Sequence, residues 1–257
     1  MNIAVLVKQV PEDLGTVQVT EGRTLDRANA RAVTDPVGKN ALEAAVQLAE
    51  ATGGTVTVIT LGPAGAKAVL KECVSVGAQA GVHVSDGGLA GSDALTTARV
   101  LAAAIGRLGA IDLVIAGARS FDGGSAAVPA MVAELLDLPS VTAVTAIDSG
   151  DAPGALLCTR VLEDGHERVS LPLPSVISVD EYVNTPRYPS VKSKLAANKA
   201  VFEVLTAADL GIVPARHAAV IDITVPPVRE PGVMITGDTV QDTADKLVAA
   251  LAGAGVL

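Results

Sequence analysis

The stretch from Gly117 to Val128 carries the residue types most able to bind a ligand. Its glycines allow the backbone to approach a phosphate closely, and amide groups at the start of a following helix would donate hydrogen bonds to it. Four side chains of the stretch would contact phosphate or ribose: Arg119, Ser120, Asp122 and Ser125. One interpretation of the pattern is a phosphate or nucleotide site. The simpler alternative is an ordinary strand-to-helix turn with Asp122 or Ser125 as the helix cap.

Strands and helices alternate over the first ~150 residues, and this order places the stretch in a sheet. Apolar or β-branched runs predict strands at 2–7, 55–60, 81–84, 112–116 and 140–147. Helical patterns follow Asp35-Pro36, Gly65 and Asp93, and a further helix begins near Val128. We therefore predict an α/β fold with a doubly wound, mostly parallel sheet, whose ligands bind outside the carboxyl ends of the strands. Three segments meet that condition: Leu6–Gln9, Leu61–Pro63 and Gly117–Val128.

A different pattern begins near residue 155. Two strands, 155–162 and 167–171, predict a β-hairpin with Asp-Gly at its tip, and 175–179 returns to the sheet. From Asn184 the chain is punctuated by prolines that fix φ, which predicts an extended arm with little core of its own and a surface built to meet another chain. Further along we expect a strand near 201–205, an extended piece at 220–225 and a helix at 238–251. The domain boundaries would be 1–183 and 184–257.

Composition excludes several classes of protein. The net charge of −9 disfavours a nucleic-acid binder, and no apolar run reaches the ~20 residues of a membrane span, so we expect no membrane insertion. The chain starts on a strand and not on a secretory signal, which predicts a soluble, cytoplasmic protein. Cys73 and Cys158 lack metal-ligand spacing and are expected to be buried apolar residues.

Motif tests give no catalytic centre. The P-loop, the GxGxxG fingerprint, the GxSxG elbow and the pyrophosphate loop of ATP-consuming enzymes are missing from the sequence. The histidines His83, His166 and His217 occur in unrelated contexts, so we expect no catalytic or metal role for them. A nucleotide-shaped loop without a catalytic residue indicates a nucleotide that is held for structure rather than consumed.

The order of several short motifs resembles the beta subunit of electron-transfer flavoprotein along almost the whole chain. The arm Asn184-Thr-Pro-Arg-Tyr-Pro189 is the most characteristic of them. The other matching pieces are collinear with that family: Val5–Pro11, Asp35-Pro36, Leu61–Ala64, Ser75–Ala78 with His83, Gly117 with Ser120 and Asp122, Leu171–Pro174, Leu195–Ala197 and Lys199.

The resemblance implies a Rossmann-like adenine-nucleotide-binding domain that holds a structural AMP and has no catalytic residues. It implies a heterodimer with an alpha subunit that carries the FAD. The heterodimer takes electrons from flavin dehydrogenases, such as acyl-CoA dehydrogenases, and passes them to a membrane quinone oxidoreductase. The AMP contacts that the resemblance implies are Leu6, Lys8, Asp35, Pro36, Val37, Gly38, Leu61, Gly117, Arg119, Ser120, Asp122, Gly123, Gly124, Ser125, Ala126, Ala127 and Val128.

The resemblance also implies that the arm wraps the alpha subunit and docks dehydrogenases through an aliphatic anchor at Val191. The partner contacts it implies are Asn184, Pro186, Arg187, Tyr188, Ser190, Val191, Lys192, Lys194 and Leu195. The chain departs from the family pattern at Ala126–Pro129, where side-chain donors are lost and Pro129 lacks an amide hydrogen. Alternatives therefore remain: a second FAD in place of AMP in an electron-bifurcating form, a stand-alone ATP/AMP-binding regulatory domain, and a nucleotide-dependent ligase.

Overall fold

The computed structural model describes residues 1–22, 24–27, 29–150, 152, 154–215, 217–218, 220–221, 227 and 231–257. The chain divides into two compact units, Met1–Ile221 and Asp222–Leu257. In the predicted extended piece 220–225, residues 222–225 lie outside the described residues.

The described residues of the first unit form eleven strands and five α-helices. Its strands are β1 (Asn2–Leu6), β2 (Gln9–Pro11), β3 (Ala32–Thr34), β4 (Thr55–Leu61), β5 (Ala80–Val84), β6 (Leu113–Gly117), β7 (Ser140–Ser149), β8 (Ala155–Leu162), β9 (Gly165–Pro172), β10 (Ser175–Val179) and β11 (Glu203–Leu205). Its helices are α1 (Pro36–Thr52), α2 (Lys67–Val76), α3 (Ala94–Gly106), α4 (Val128–Leu135) and α5 (Val191–Ala197).

Nine of these strands form one sheet in the order β11-β5-β4-β1-β6-β10-β7-β8-β9. All neighbours from β11 to β7 are parallel, and β8 and β9 add an antiparallel extension at one edge. Alternate strand residues enter two separate cores. Ile3, Val5 and Val58 pack with α1 and α2, whereas Ala4 and Ile59 pack with α3 and α4. The predicted α/β fold with a doubly wound, mostly parallel sheet is confirmed.

The start and end of α1 show why the sequence folds as predicted here. Asp35 is the N-cap, its carboxylate accepts a hydrogen bond from the Gly38 amide, and Pro36 occupies the first turn. Gly53 ends the helix with φ of 64°, a conformation that glycine adopts without steric cost.

Three details differ from the sequence predictions. The segment that follows β1 contains the small antiparallel pair β2–β3, which was not predicted. The hairpin tip is Glu163-Asp164, because Gly165 already pairs with Leu162 as the first residue of β9. The arm is irregular only from 184 to 190, and the short helix α5 follows.

The second unit contains α6 (Val240–Gly253), in agreement with the predicted terminal helix. Thr239 caps this helix by accepting a hydrogen bond from the Asp242 amide. None of its residues is buried. Its apolar residues Leu247, Val248 and Leu251 are therefore exposed.

Candidate functional site

The carboxyl ends of three neighbouring strands form the centre of the candidate site. β4, β1 and β6 are adjacent and parallel, so the segments that follow them meet at one edge of the sheet. Leu6 is buried and Leu61 is partly buried, and both belong to the core that packs against α3 and α4. Gly117 ends β6 next to the start of α1, where a Cβ would lie 3.1 Å from the Val37 carbonyl carbon. The structure thus brings together segments that are far apart in sequence.

Asp35 links the start of α1 to the loop after β6. One carboxylate oxygen accepts from the Gly38 amide at 3.1 Å, and the other accepts from the Phe121 amide at 2.7 Å. Asp35 is buried, so water does not compete for either of these hydrogen bonds. Asp35 therefore fixes the position of the loop against α1.

Asp122 binds two cations. Its Oδ1 accepts from Lys8 Nζ at 2.6 Å, and its Oδ2 accepts from Arg27 Nη2 at 2.7 Å. Burial by itself raises the pKa of the Asp122 carboxyl, but the hydrogen bonds from Lys8 and Arg27 outweigh it and hold the pKa below its ordinary value. The carboxylate is fully buried, whereas Lys8 and Arg27 are about half exposed. The three groups together carry one net positive charge that can attract an anion.

The turn before α4 has an unusual backbone. Gly124 has φ of 60° and Ala126 has φ of 54°, although alanine rarely adopts positive φ. Ala127 is the N-cap of α4, and no side chain caps this end of the helix. The alternative in which Asp122 or Ser125 caps the helix is therefore wrong. Residues that alternate in the sign of φ before a helix start are a backbone pattern that binds anions in other proteins.

The remaining loop residues make weaker contacts than Asp122 does. Ser120 Oγ accepts from the Gly123 amide at 3.2 Å and lies 3.5 Å from Lys8 Nζ. Arg119 and Ser125 are exposed. Pro36 is exposed, and Val37 is partly buried next to Gly117. Sequence reasoning missed Arg27, which comes from the polar segment between β2 and β3 and carries no local motif.

The arm lies against α1 through an asparagine pair. The Asn40 side-chain amide donates to the Asn184 carbonyl oxygen at 2.8 Å, and the Asn184 side-chain amide donates to the Asn40 carbonyl oxygen at 3.0 Å. Asn40 is buried, so this reciprocal contact satisfies polar groups that water does not reach.

Arg187 binds two carboxylates of the same helix. Its Nε donates to Glu43 Oε2 at 2.9 Å, and its Nη1 donates to Glu50 Oε1 at 2.7 Å. Burial by itself raises the pKa of Glu43, but the Arg187 bonds outweigh it and hold that pKa below its usual value. Hydrogen bonds to Arg187 also lower the pKa of Glu50, and hydrogen bonds to Glu50 and Glu43 raise the pKa of the guanidinium. The hydrogen-bond geometry and the pKa shifts both indicate a strong contact between Arg187 and α1.

Helix α5 presents apolar side chains to solvent. Ser190 caps it by accepting from the Ser193 amide, and Ala197 is buried at its far end. Tyr188 is 95% exposed, Val191 78% and Leu195 63%. Lys192 and Lys194 are also exposed, and Pro186 is partly buried. A group of exposed apolar side chains is a candidate protein-binding surface.

Other candidate sites receive no support from the geometry. Among the residues with described positions, no group of three or more histidine, cysteine or carboxylate side chains could hold a metal ion. Burial raises the pKa of the Cys73 thiol to about 12 and that of Cys158 to about 11, so both stay protonated and unreactive. In the described ranges no helix is both long and apolar enough to cross a bilayer.

A parallel sheet with a charged cluster at its carboxyl edge, where open α/β sheets bind ligands, defines an α/β protein with a candidate ligand site. Comparison with known proteins identifies the family within this class. The family model for the electron transfer flavoprotein domain matches residues 23–210. The chain is 41% identical over 219 residues to the electron transfer flavoprotein subunit beta of Mycobacterium tuberculosis, covering 82% of this chain and 81% of that protein.

Two further relatives cover nearly the whole chain. One is the caffeyl-CoA reductase-Etf complex subunit CarD of Acetobacterium woodii, 34% identical over 98% of both chains. The other is the acryloyl-CoA reductase electron transfer subunit gamma of Anaerotignum propionicum, 33% identical over 96% of this chain and 98% of that protein. The chain belongs to the electron transfer flavoprotein family, as its sequence motifs predicted.

Proposed function

We propose that this chain is the beta subunit of an electron transfer flavoprotein and that it binds AMP at the carboxyl edge of its sheet. The observation that carries the AMP site is the cluster of Lys8, Arg27 and Asp122, in which Asp122 belongs to the loop that leads to the uncapped start of α4. Its net positive charge attracts a phosphate, and the helix start supplies amide donors. The lost side-chain donors at 126–129 are thus replaced by backbone groups and by Lys8.

Each part of the site has a distinct role in this proposal. The phosphate group would be held by Lys8 and by the amides around Ala126 to Val128. Asp122 holds Lys8 and Arg27 in place, because both of its oxygens already accept from these cations. Asp35 holds the loop on α1. The nucleotide then serves as a structural part that joins the strand ends.

In the proposed complex this chain pairs with an alpha subunit that holds the FAD, and it acts in the cytoplasm. The flavin supplies the redox chemistry by accepting and releasing electrons. This chain supplies no catalytic residue. Electrons come from flavin dehydrogenases, such as the acyl-CoA dehydrogenases of fatty acid β-oxidation, and go to a membrane quinone oxidoreductase. The exposed side chains of Tyr188, Val191 and Leu195 suit a docking contact that forms and releases quickly.

The alternative with a second FAD in this subunit rests on one observation. The two relatives that match nearly the whole chain are named as subunits of caffeyl-CoA and acryloyl-CoA reductase systems. A complex of that kind would use this site for a larger adenine nucleotide. We propose the AMP form first because the 41% identical relative is named as a beta subunit and not as part of a CoA reductase system.

Release of bound nucleotides tests both forms. The chain would be co-expressed with a candidate alpha subunit, purified through a tag on this chain, denatured, and its nucleotides identified by chromatography and mass. One FAD and one AMP per heterodimer is the expected result. Two FAD would establish the alternative, and bound ATP with no partner and no flavin would contradict the family function.

A further inference from the structure

The arm at 184–190 is held by its own subunit, and this has a consequence for docking. We propose that Arg187 and Asn184 are positioning residues: they fix the arm on α1 and thereby fix α5, and they do not themselves contact a dehydrogenase. This inference rests on the proposed docking function, and it reassigns two residues for which the family resemblance implied direct partner contact.

Every nitrogen of the Arg187 guanidinium donates to a carboxylate of α1. Its Nε and Nη2 donate to Glu43 at 2.9 and 3.0 Å, and its Nη1 and Nη2 donate to Glu50 at 2.7 and 3.0 Å. The Arg187 backbone amide adds a further bond, to Glu43 Oε2 at 3.1 Å. The side chain is 35% exposed, but a partner that drew it away from α1 would have to break these bonds, so the contact to α1 is the one that the geometry favours.

The sequence of α1 is suited to this contact. Glu43 and Glu50 are seven residues apart, which places both carboxylates on one helix face. Glu43 is only 3% exposed, and a buried carboxylate without its cation would be costly. The planar fork of arginine reaches both carboxylates at once, whereas a lysine ammonium acts as a point charge and cannot reproduce the bidentate geometry.

The asparagine pair makes a second attachment one turn earlier on α1. Asn40 Nδ2 reaches the carbonyl oxygens of both Asn184 and Glu181, so it ties down the entry to the arm. Asn40, Glu43 and Glu50 thus hold the arm along the length of one helix.

Helix α5 packs against α2 and also depends on the attachments to α1, which hold the segment that leads into it. It has seven residues, and a helix of that length is unstable by itself in water. Its far end is fixed by Ala197, which is buried, and its near end follows Arg187 after three residues. A surface that is already in its binding position loses less conformational entropy on docking, so the attachments increase affinity without touching the partner.

The test compares four heterodimers with the alpha subunit. Arg187→Lys keeps the charge but loses the fork, and Glu43→Gln removes the buried carboxylate. Val191→Ser removes an exposed anchor, and Arg160→Lys is the matched control, because Arg160 pairs with Glu167 on the β8–β9 hairpin. Hydrogen exchange of residues 185–197 reports how firmly the arm is held, and nucleotide content confirms that each variant folds. A medium-chain acyl-CoA dehydrogenase serves as the electron donor.

We expect Arg187→Lys and Glu43→Gln to speed exchange at 185–197 by about tenfold and to raise the KM for the dehydrogenase about fivefold, with kcat within about twofold. Val191→Ser should raise the KM and leave exchange unchanged, and Arg160→Lys should change neither. The positioning role would be overturned if Arg187→Lys and Glu43→Gln speed exchange but leave the KM unchanged, while Val191→Ser raises the KM. Unchanged exchange in both Arg187→Lys and Glu43→Gln would also overturn it. An unchanged KM in Val191→Ser would instead contradict the docking function itself.

Discussion

Lys8 and Asp122 are separated by 114 residues, yet Lys8 Nζ lies 2.6 Å from Asp122 Oδ1. The contact joins the end of β1 to the loop after β6, which are neighbours because β1 and β6 pair in parallel. Arg27 binds the second oxygen of the same carboxylate. The candidate site therefore depends on a buried anion that holds two cations at the edge of the sheet.

Asp122→Asn should lower the free energy of unfolding by about 1–2 kcal/mol at pH 7, because a neutral amide binds Lys8 and Arg27 less strongly. Urea unfolding followed by circular dichroism measures this. Lys246 pairs with Asp242 at the surface, so Asp242→Asn is the control and should cost less than Asp122→Asn. Equal losses would contradict the special role of the buried carboxylate.

The stability difference between Asp122→Asn and the wild type should depend on pH. The pKa of Asp122 is lowered in the folded state, so its contribution is fully present above the unfolded pKa of about 4. It is lost as pH falls through the folded pKa. Unfolding curves between about pH 3 and pH 7 should therefore converge at the acid end. A difference that stayed constant over this range would contradict the ion-pair account.

Ala126→Gly should cost less stability than Ala127→Gly, although the two residues are adjacent. Ala126 has φ of 54°, which strains alanine and not glycine, whereas Ala127 is in the right-handed region. Relief of this strain offsets the added entropy of the unfolded chain, and we expect a difference of about 1 kcal/mol. Thermal unfolding of both variants in the nucleotide-free state measures it. Equal losses would show that the turn is not strained.

Gly117→Ala should weaken nucleotide binding, since a Cβ would lie 3.1 Å from the Val37 carbonyl carbon and 3.2 Å from the Gly38 amide nitrogen. The start of α1 would shift away from the loop, and we expect about a tenfold loss of AMP affinity. Gly87 lies just after β5, at the same edge of the sheet, and a Cβ there meets nothing within 4 Å. Gly87→Ala is the control and should bind normally. Similar affinities for the two variants would contradict the tight approach.

Local signals predicted much of this structure. Asp35-Pro36 marked the start of α1, and Ser92-Asp93 marked the start of α3, where Asp93 is the N-cap. Helix capping and strand propensity depend on residues close in sequence, so they can be read without knowing the fold. The parallel order of the strands predicted that Leu6, Lys8 and Gly117 lie at the same edge of the sheet.

Contacts between distant residues could not be predicted in the same way. Arg27 lies 95 residues from Asp122 in a segment without periodicity, and its role depends on how that segment returns to the sheet. Arg187 was predicted as a partner contact, and no local signal in the sequence indicated that it binds Glu43 across 144 residues. The strands β2 and β3 have three residues each, which is too short for a recognisable pattern.

The isolated chain should self-associate. Val191 and Leu195 are exposed in the first unit, and Leu247, Val248 and Leu251 are exposed on α6 in the second. Such apolar groups associate in water unless a partner covers them. Light scattering coupled to size-exclusion chromatography should show oligomers for the chain alone and a heterodimer after co-expression with an alpha subunit. A monodisperse monomer at micromolar concentration would contradict this.

The most direct test of the central claim is the titration of AMP into the nucleotide-stripped heterodimer by calorimetry. Wild type would be compared with Lys8→Gln and with Lys71→Gln, which removes a lysine of α2. We expect one AMP per heterodimer, about a tenfold or greater loss of affinity in Lys8→Gln, and no loss in Lys71→Gln. Absence of AMP binding, or equal affinity in all three proteins, would contradict a phosphate site at Lys8, Arg27 and Asp122.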